Sequence, residues 1–266
     1  MFLSDDVLQV DGVRFEFGSP YGASTDDAFY LAKPDDLTRD YLALAEGAEG
    51  NIVELGIFQG GSAALMALVA KPARIVVIDL CEPVELLDRF IAERSLDAVL
   101  RPHYGVDQAD RPALAAIMDD EFGDERLDLV IDDASHALAP TRASFEELFP
   151  RLRPGGRYLI EDWHWEVRFG FESLGDADAP DAADKLGKVL GITDLGAQVL
   201  AILGMELVAA HACSPDLISR VSFDGWWIIV ERGPAEIDPD GFRLMDAHRG
   251  VASLLLPDPG QIPTGP

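Results

Sequence analysis

Apolar runs and amphipathic stretches alternate along most of the chain. The runs NIVELG, RIVVIDL, LRPHYGVD, LDLVIDD and RPGGRYLIED are short, and each is predicted to be a strand. The stretches between them repeat apolar residues at helical spacing, a pattern typical of a parallel sheet with helices on both faces. Two further runs, VAAHACS to LISRVSF and GWWIIVERG, predict an antiparallel pair joined at Asp224-Gly225. The predicted fold class is therefore α/β, a doubly wound and mostly parallel sheet of seven strands with an antiparallel terminal hairpin.

Three segments are predicted along the chain. Residues 1–34 form an N-terminal hairpin and lid segment, and residues 35–233 form the main α/β domain. Residues 234–266 form a C-terminal extension, whose tail from Leu256 is expected to be disordered because it is rich in Pro and Gly. Within the main domain, one or two helices are predicted over residues 182–204.

The N-terminal segment contains two recognisable patterns. Residues 7–17 alternate apolar and polar side chains around Asp11-Gly12, which predicts a two-residue hairpin turn. Phe29, Tyr30 and Lys33 precede a helix predicted from Asp35 to about Glu46, and they are candidates for a lid over a ligand.

The strongly negative charge of the chain argues against anionic partners. Its 266 residues include 21 Lys and Arg against 48 Asp and Glu, a formal net charge of -27 at pH 7. Duplex DNA, RNA and anionic membranes need an excess of cationic side chains, so we expect none of them as the main partner. Two cysteines are too few for a disulfide framework or a structural zinc site. The N-terminus has no basic segment before an apolar run, and no stretch of about 18 apolar residues occurs, so the protein is expected in the cytoplasm.

A glycine-rich turn, from Glu54 to Ser62, lies between the strand NIVELG and the helix that follows it. Glycines allow positive φ and a close approach of a ligand to the backbone, and the helix N-terminus offers free N–H groups. The spacing G-x-x-x-G-G departs from the G-x-G-x-x-G of dinucleotide-binding folds. Asp79 ends the next strand 23 residues after Gly56, close to the distance at which an acidic side chain binds ribose hydroxyls. A structural turn without a ligand is the alternative.

The string E-x-G-x-x-x-G-G-S, followed by a strand that ends in Asp, resembles the class I S-adenosylmethionine-dependent methyltransferases over residues 50–232. The resemblance implies S-adenosylmethionine as the cofactor, with its methionine part at the glycine loop and its ribose at Asp79. Asp107 and Gln108 match the position that contacts adenine, and the alternative for them is an ordinary acidic loop. The predicted cofactor-binding residues are Glu54, Gly56, Gly60, Gly61, Ser62, Asp79, Asp107, Gln108 and Asp132.

Acidic side chains follow two strands that are expected to be neighbours. Asp132 and Asp133 end one of them, and Glu161 and Asp162 end the other. Neighbouring strands lie about 4.8 Å apart, so these carboxylates are expected to converge, and a divalent cation such as Mg²⁺, Mn²⁺ or Ca²⁺ would remove their repulsion. His136 is near enough in sequence to face the same cleft and accept a proton near neutral pH. The alternatives are a solvated loop histidine and an aspartate that only caps the next helix.

The strings D-D-x-S-H and T-x-x-S-F-x-x-L-F-P-x-L-x-P-G-G-x-Y-x-I-E-D sharpen the resemblance. They resemble the macrolide-glycoside O-methyltransferases of the mycinamicin type and, more loosely, the cephalosporin-hydroxylase-like proteins. The resemblance implies that Mg²⁺ is bound by Asp133, Glu161 and Asp162, and that His136 is the general base. Trp163, His164 and Tyr30 are predicted to contact the substrate, although Trp163 and His164 have core packing as an equal alternative.

The sequence thus favours a Mg²⁺-dependent O-methyltransferase that moves the methyl group of S-adenosylmethionine to a hydroxyl of a saccharide or glycoside, with His136 and Asp133 as catalytic residues. The alternatives are a cofactor-binding regulatory protein without turnover and a methyltransferase for a macrolide or phenol. An iron-dependent hydroxylase is disfavoured, because its usual ligand set has two histidines and one carboxylate. A homodimer is the commonest default among soluble oligomers and is expected here.

Overall fold

The computed structural model describes residues 2–4, 6–18, 22–46, 48–164 and 199–248 of the chain. Contacts between residues divide the chain into two compact units, Met1–Ala134 and Ser135–Pro266. This division does not test the domain limits predicted at residues 34 and 233, which stay predictions.

The first unit begins with a sheet of four strands, β1 (Phe2–Ser4), β2 (Val7–Val10), β3 (Val13–Phe17) and β4 (Ala28–Leu31), in the order β1-β2-β3-β4. The predicted hairpin is confirmed, since β2 and β3 are antiparallel and the turn residues Asp11 and Gly12 have φ of 47° and 81°. The lid candidates Phe29 and Tyr30 lie instead in β4, a buried strand parallel to β3. The ring of Phe29 stacks on Phe15 at 5.7 Å and meets Phe90 edge-on at 5.5 Å. Apolar burial therefore fixes this segment as part of a core.

The remainder of the first unit alternates helices and strands as predicted. The central strands are mostly apolar, and every residue of the strand Asn51–Leu55 is buried, as expected for a strand covered on both faces. The elements are α1 (Asp35–Glu46), β5 (Asn51–Leu55), α2 (Gly61–Val69), β6 (Arg74–Asp79), α3 (Glu85–Arg94), β7 (Leu100–Tyr104), α4 (Arg111–Glu121) and β8 (Leu127–Asp132). Strand β5 is parallel to β6 and to β8, and β6 is parallel to β7.

The second unit contains α5 (Leu138–Leu148), a 3₁₀ turn (Phe149–Arg151), β9 (Leu152–Glu161), α6 (Ala201–Cys213), β10 (Ile218–Phe223), β11 (Trp227–Arg232) and α7 (Leu244–Ala247). The predicted terminal hairpin is confirmed: β11 is antiparallel to β9 and β10, and the Asp224 side chain accepts hydrogen bonds from the N–H groups of Trp226 and Trp227 in the turn. The predicted strand character of VAAHACS is wrong, because these residues continue α6 to Cys213. Alanines favour a helix, and an apolar run by itself does not separate a buried helix from a strand.

The seven strands of the α/β part follow the order β10-β11-β9-β8-β5-β6-β7, which confirms the predicted fold class. Strands β6 and β7 are added on one side of β5 and β8 is added on its other side, so the strand order reverses between β5 and β8. In such sheets ligands bind at the carboxyl ends of the strands beside that switch point. None of the described helices is long and apolar enough to cross a membrane. The predictions for residues 182–198 and for the tail from Leu256 lie outside the described residues.

Candidate functional site

The predicted glycine loop connects β5 to α2 and approaches other backbone segments closely. Gly56 has φ of 100°, and a Cβ atom at this position would be 2.2 Å from the carbonyl oxygen of Asp133. Gly60 has φ of 81° as the N-cap of α2, and a Cβ there would be 2.8 Å from Cβ of Leu87. Gly61 and Ser62 follow as the first residues of α2. Both the backbone conformation and the close approach require glycine at Gly56 and Gly60.

Asp79, the predicted ribose ligand, stabilises this loop through hydrogen bonds to its backbone. Its Oδ2 accepts hydrogen bonds from the N–H groups of Ile57 at 2.6 Å and Phe58 at 3.1 Å, and its Oδ1 accepts one from Cys81 at 3.0 Å. Phe58 has φ of 49°, so a non-glycine residue of the loop is held in the left-handed region. The carboxylate therefore fixes the loop shape, a role the sequence did not reveal. Its predicted contact with ribose stays a prediction.

Glu54 is a buried carboxyl group at the end of β5. The hydroxyl of Tyr41, from α1, donates a 3.0 Å hydrogen bond to its Oε1, while its Oε2 is buried without a hydrogen-bond partner among the described residues. Burial raises the pKa of Glu54 to about 7, although Ser62, Lys33 and Tyr41 act to lower it. Because Oε2 of Glu54 is a buried acceptor that lacks a hydrogen bond within the described part of the chain, it suits a ligand that brings a cationic or N–H group to the glycine loop.

Two of the residues predicted to bind the cofactor, Gln108 and Asp132, form a buried pair. Nε2 of Gln108 donates to both carboxylate oxygens of Asp132, at 3.0 and 3.2 Å. Both side chains are buried, and Asp107 uses its carboxylate to accept a hydrogen bond from the N–H of Ala109 at 2.8 Å. The structure thus places Asp132 against Gln108. Their predicted contacts with the cofactor stay predictions.

A candidate cation cluster is formed by Asp133, His136 and Asp162, whose ligand atoms all lie within 4.8 Å of one another. His136 and Asp162 have φ of 51° and 55°, in the left-handed region that few non-glycine residues adopt. Such backbone strain is concentrated at functional sites. The helix α5 that follows this loop has Ala137 as its N-cap with no side-chain cap, so neither Asp132 nor Asp133 has the capping role that the sequence left open.

Glu161, predicted as a Mg²⁺ ligand, lies outside this cluster. It is the last residue of β9, it is 2% exposed, and its Oε2 accepts a 3.1 Å hydrogen bond from Nε1 of Trp227. Asp162 comes after the last residue of β9 and has φ of 55°, so regular strand geometry ends at Glu161. The predicted role of Glu161 as a Mg²⁺ ligand stays a prediction.

Lys33, which the sequence suggested only as part of a lid, forms an ion pair with Asp133. Its Nζ is 2.8 Å from Oδ2 of Asp133, and its side chain is 5% exposed. The ammonium group also lies 5.4 Å from the centroid of the Tyr41 ring. Lys33 and Asp133 are 100 residues apart in the chain, so a pattern of neighbouring residues could not predict their ion pair.

The predicted substrate residues fall into two environments. Trp163 and His164 directly follow Asp162, and their rings meet Phe223 and Trp226 at centroid distances of 5.3 and 5.8 Å. Nε1 of Trp163 and Nδ1 of His164 are buried without partners among the described residues. Tyr30, in contrast, lies buried in β4. Trp163 and His164 have polar ring atoms that a substrate could bind, whereas Tyr30 is buried in a strand.

Residues 53–163 match the family model described as a methyltransferase domain. This part of the chain is therefore similar to methyltransferase domains. The matched range contains the glycine loop, Asp79, the Gln108 and Asp132 pair, and all three residues of the cation cluster. Lys33, Tyr30 and His164 lie outside the matched range.

Curated proteins that are similar to part of this chain are named as O-methyltransferases. Mycinamicin VI 2''-O-methyltransferase from Micromonospora griseorubida is 41% identical over 94 residues, which is 35% of this chain and 22% of that protein. Demethylmacrocin O-methyltransferase from Streptomyces fradiae is 46% identical over 70 residues, which is 26% of this chain and 17% of that protein. The matches therefore span less than a quarter of either relative.

A solved structure supports the α/β fold of the chain. The MycE methyltransferase of the mycinamycin biosynthetic pathway, in complex with Mg, SAH and mycinamycin VI, aligns with a TM-score of 0.50 at 22% identity. The alignment covers 88% of this chain and 53% of that chain, so this chain corresponds to about half of MycE. At this identity the likeness concerns the fold alone.

Proposed function

We propose that the protein transfers the methyl group of S-adenosylmethionine to a hydroxyl of a saccharide or glycoside, assisted by Mg²⁺. The observation that carries the proposal is the direct contact between the glycine loop and Asp133 of the cation cluster. The N–H of Asp133 donates to the carbonyl of Leu55 at 2.9 Å, and Gly56 has no room for a side chain beside the Asp133 carbonyl. A cofactor on the loop and a cation at Asp133 would therefore be close neighbours.

The residues present fit the proposed cofactor. The glycine loop leaves backbone N–H groups at the start of α2, and the buried Oε2 of Glu54 lacks a partner among the described residues. The methionine ammonium of S-adenosylmethionine is a cationic donor that would satisfy this oxygen. When bound, S-adenosylmethionine supplies an electrophilic methyl group. The chain's own contribution is to orient it, through a loop that Asp79 holds in one shape.

The cation cluster also fits a divalent metal. The carboxylates of Asp133 and Asp162 are hard oxygen donors of the kind Mg²⁺ prefers, and a ring nitrogen of His136 lies within the same 4.8 Å. Mg²⁺ held by the two carboxylates would lower the pKa of a hydroxyl that coordinates it. We assign His136 as the general base that removes the hydroxyl proton, since a neutral imidazole has a ring nitrogen that accepts a proton. Glu161 is left out of the ligand set because it bonds to Trp227.

The acceptor is assigned to the saccharide class on two grounds. The curated relatives have names that describe methylation of sugar hydroxyls on natural products, as in 8-demethyl-8-alpha-L-rhamnosyl tetracenomycin-C 2'-O-methyltransferase of Streptomyces olivaceus. Trp163 directly follows Asp162, and the carbonyl of Trp226 accepts a hydrogen bond from the N–H of Asp162, so two residues of the type that stacks on sugar rings lie beside the cluster. The homodimer and the cytoplasmic location stay predictions.

The test is a methyl-transfer assay on the full chain. Calorimetry with S-adenosylmethionine measures cofactor binding, and release of S-adenosylhomocysteine is then followed over panels of mono- and disaccharides, macrolide glycosides and catechols. We expect transfer to a sugar hydroxyl that stops with a chelator and resumes with added Mg²⁺. Transfer that survives full chelation rejects the metal role, and transfer confined to catechols rejects the saccharide acceptor. Cofactor binding without transfer to any panel member favours the regulatory alternative.

A further inference from the structure

A buried ammonium group lies beside the proposed metal ligand. Lys33, in the loop between β4 and α1, is 5% exposed at its side chain, and its Nζ is 2.8 Å from Oδ2 of Asp133. Lysine is almost never fully buried unless its charge is paired, because removing an ammonium group from water is costly. The pairing with Asp133 explains how the chain tolerates this buried cation. It also means that the carboxylate already has a cationic partner before any metal binds.

The same ammonium group acts on a second carboxyl group of the first unit. Its positive charge opposes the effect of burial on the pKa of Glu54, and the ring of Tyr41 lies 5.4 Å from Nζ. Tyr41 in turn donates its hydroxyl to Glu54. Lys33 is thus a charge that balances the carboxyl groups at the ends of β5 and β8.

We propose that Lys33 is a built-in counter-cation that weakens the binding of a divalent metal at Asp133, and so sets the metal affinity of the site. It is a positioning residue that acts through Asp133 rather than on the reacting atoms. The inference rests on the metal part of the proposed function.

Electrostatics gives the direction of the effect. An incoming dication competes with the ammonium for the Asp133 carboxylate and is repelled by a positive charge a few ångströms away, in surroundings where water screens poorly. Removing this charge is expected to tighten metal binding by about tenfold or more. Arginine keeps the charge, so Lys33→Arg is expected to remain within about threefold of the wild type.

The experiment measures metal affinity directly in the full chain. Mn²⁺ binding is followed by the electron paramagnetic resonance signal of free Mn²⁺, and Mg²⁺ binding by calorimetry, at constant ionic strength. The variants are Lys33→Met, Lys33→Gln and Lys33→Arg. Lys71→Met is the matched control, because it removes one positive charge from an exposed residue in the loop between α2 and β6. We expect tighter binding in the two neutral Lys33 variants and unchanged binding in Lys71→Met.

Several results would overturn the inference. Wild-type affinity, or weaker binding, in folded Lys33→Met or Lys33→Gln removes the counter-cation role while the proposed function stands. Failure of both neutral variants to fold makes Lys33 a stability element only. Absence of metal binding in every variant rejects this inference and the metal part of the proposed function together. Tighter binding without methyl transfer to any acceptor keeps the inference and rejects the proposed reaction.

Discussion

Tyr41 donates a 3.0 Å hydrogen bond to the buried carboxyl group of Glu54, so the helix α1 holds the acidic residue near the end of β5. Both side chains are buried, and the second oxygen of Glu54 lacks a partner among the described residues. A carboxyl group in this position is difficult to ionise. The end of β5 beside the glycine loop therefore contains a group whose charge changes near pH 7.

Glu54 is predicted to make the protein less stable as pH rises from about 4.5 to about 7. Its pKa is raised from 4.5 to about 7, so in this window the folded protein keeps a proton that the unfolded chain has lost. Stability from this group is complete below pH 4.5 and is lost as pH passes through 7. Glu54→Gln has no such titration, and relative to the wild type its free energy of unfolding should rise by about 2.5 kcal/mol between pH 5 and pH 8.

Urea unfolding at several pH values measures this difference. Glu49→Gln is the matched control, since Glu49 is exposed near the start of the same strand. The control should follow the wild-type curve. A constant difference between Glu54→Gln and wild type across the whole pH range would contradict the assignment.

Gly56→Ala is predicted to disrupt the glycine loop. The new Cβ would meet the Asp133 carbonyl oxygen at 2.2 Å, in addition to the strain of φ 100°. We expect a loss of about 2 kcal/mol or more in the free energy of unfolding and loss of measurable S-adenosylmethionine binding. Gly105→Ala is the control, because Gly105 has φ of 70° and a Cβ there would have nothing within 4 Å, so it should show only the strain of about 1 kcal/mol. Equal losses in the two variants would show that the close approach to Asp133 does not matter.

The repeating features of the fold were predictable from the sequence, while most of the site's internal pairings were not. Apolar periodicity revealed the parallel strands, and Asp11-Gly12 and Asp224-Gly225 revealed two turns, because these signals are local. The ion pair between Lys33 and Asp133 was not predicted, because 100 residues separate them in the chain. The buried strand β4 was also missed, since a short run of apolar residues before a helix carries no periodicity of its own.

Glu161 and Asp162 are predicted to differ in their effect on metal binding, although they are neighbours in sequence. The cluster contains Asp162, whereas Glu161 bonds to Trp227. Asp162→Asn should weaken Mn²⁺ binding by about tenfold or more, because it removes a charged ligand. Glu161→Gln should change the affinity by less than about threefold, because a neutral amide oxygen still accepts from Trp227. Comparable weakening in both variants would restore Glu161 to the ligand set.

His136 is predicted to serve as a base and not as an essential metal ligand, and one variant separates the two roles. His136→Asn keeps a residue type that tolerates the observed φ of 51° but cannot take up a proton. We expect turnover to fall by roughly a hundredfold or more while the affinities for S-adenosylmethionine and Mn²⁺ change little. Ser135→Ala, in the same loop, controls for local disturbance and should retain most of the activity. If His136→Asn instead weakens Mn²⁺ binding tenfold and excess metal restores turnover, the imidazole is a ligand, and another group must take the proton from the acceptor hydroxyl.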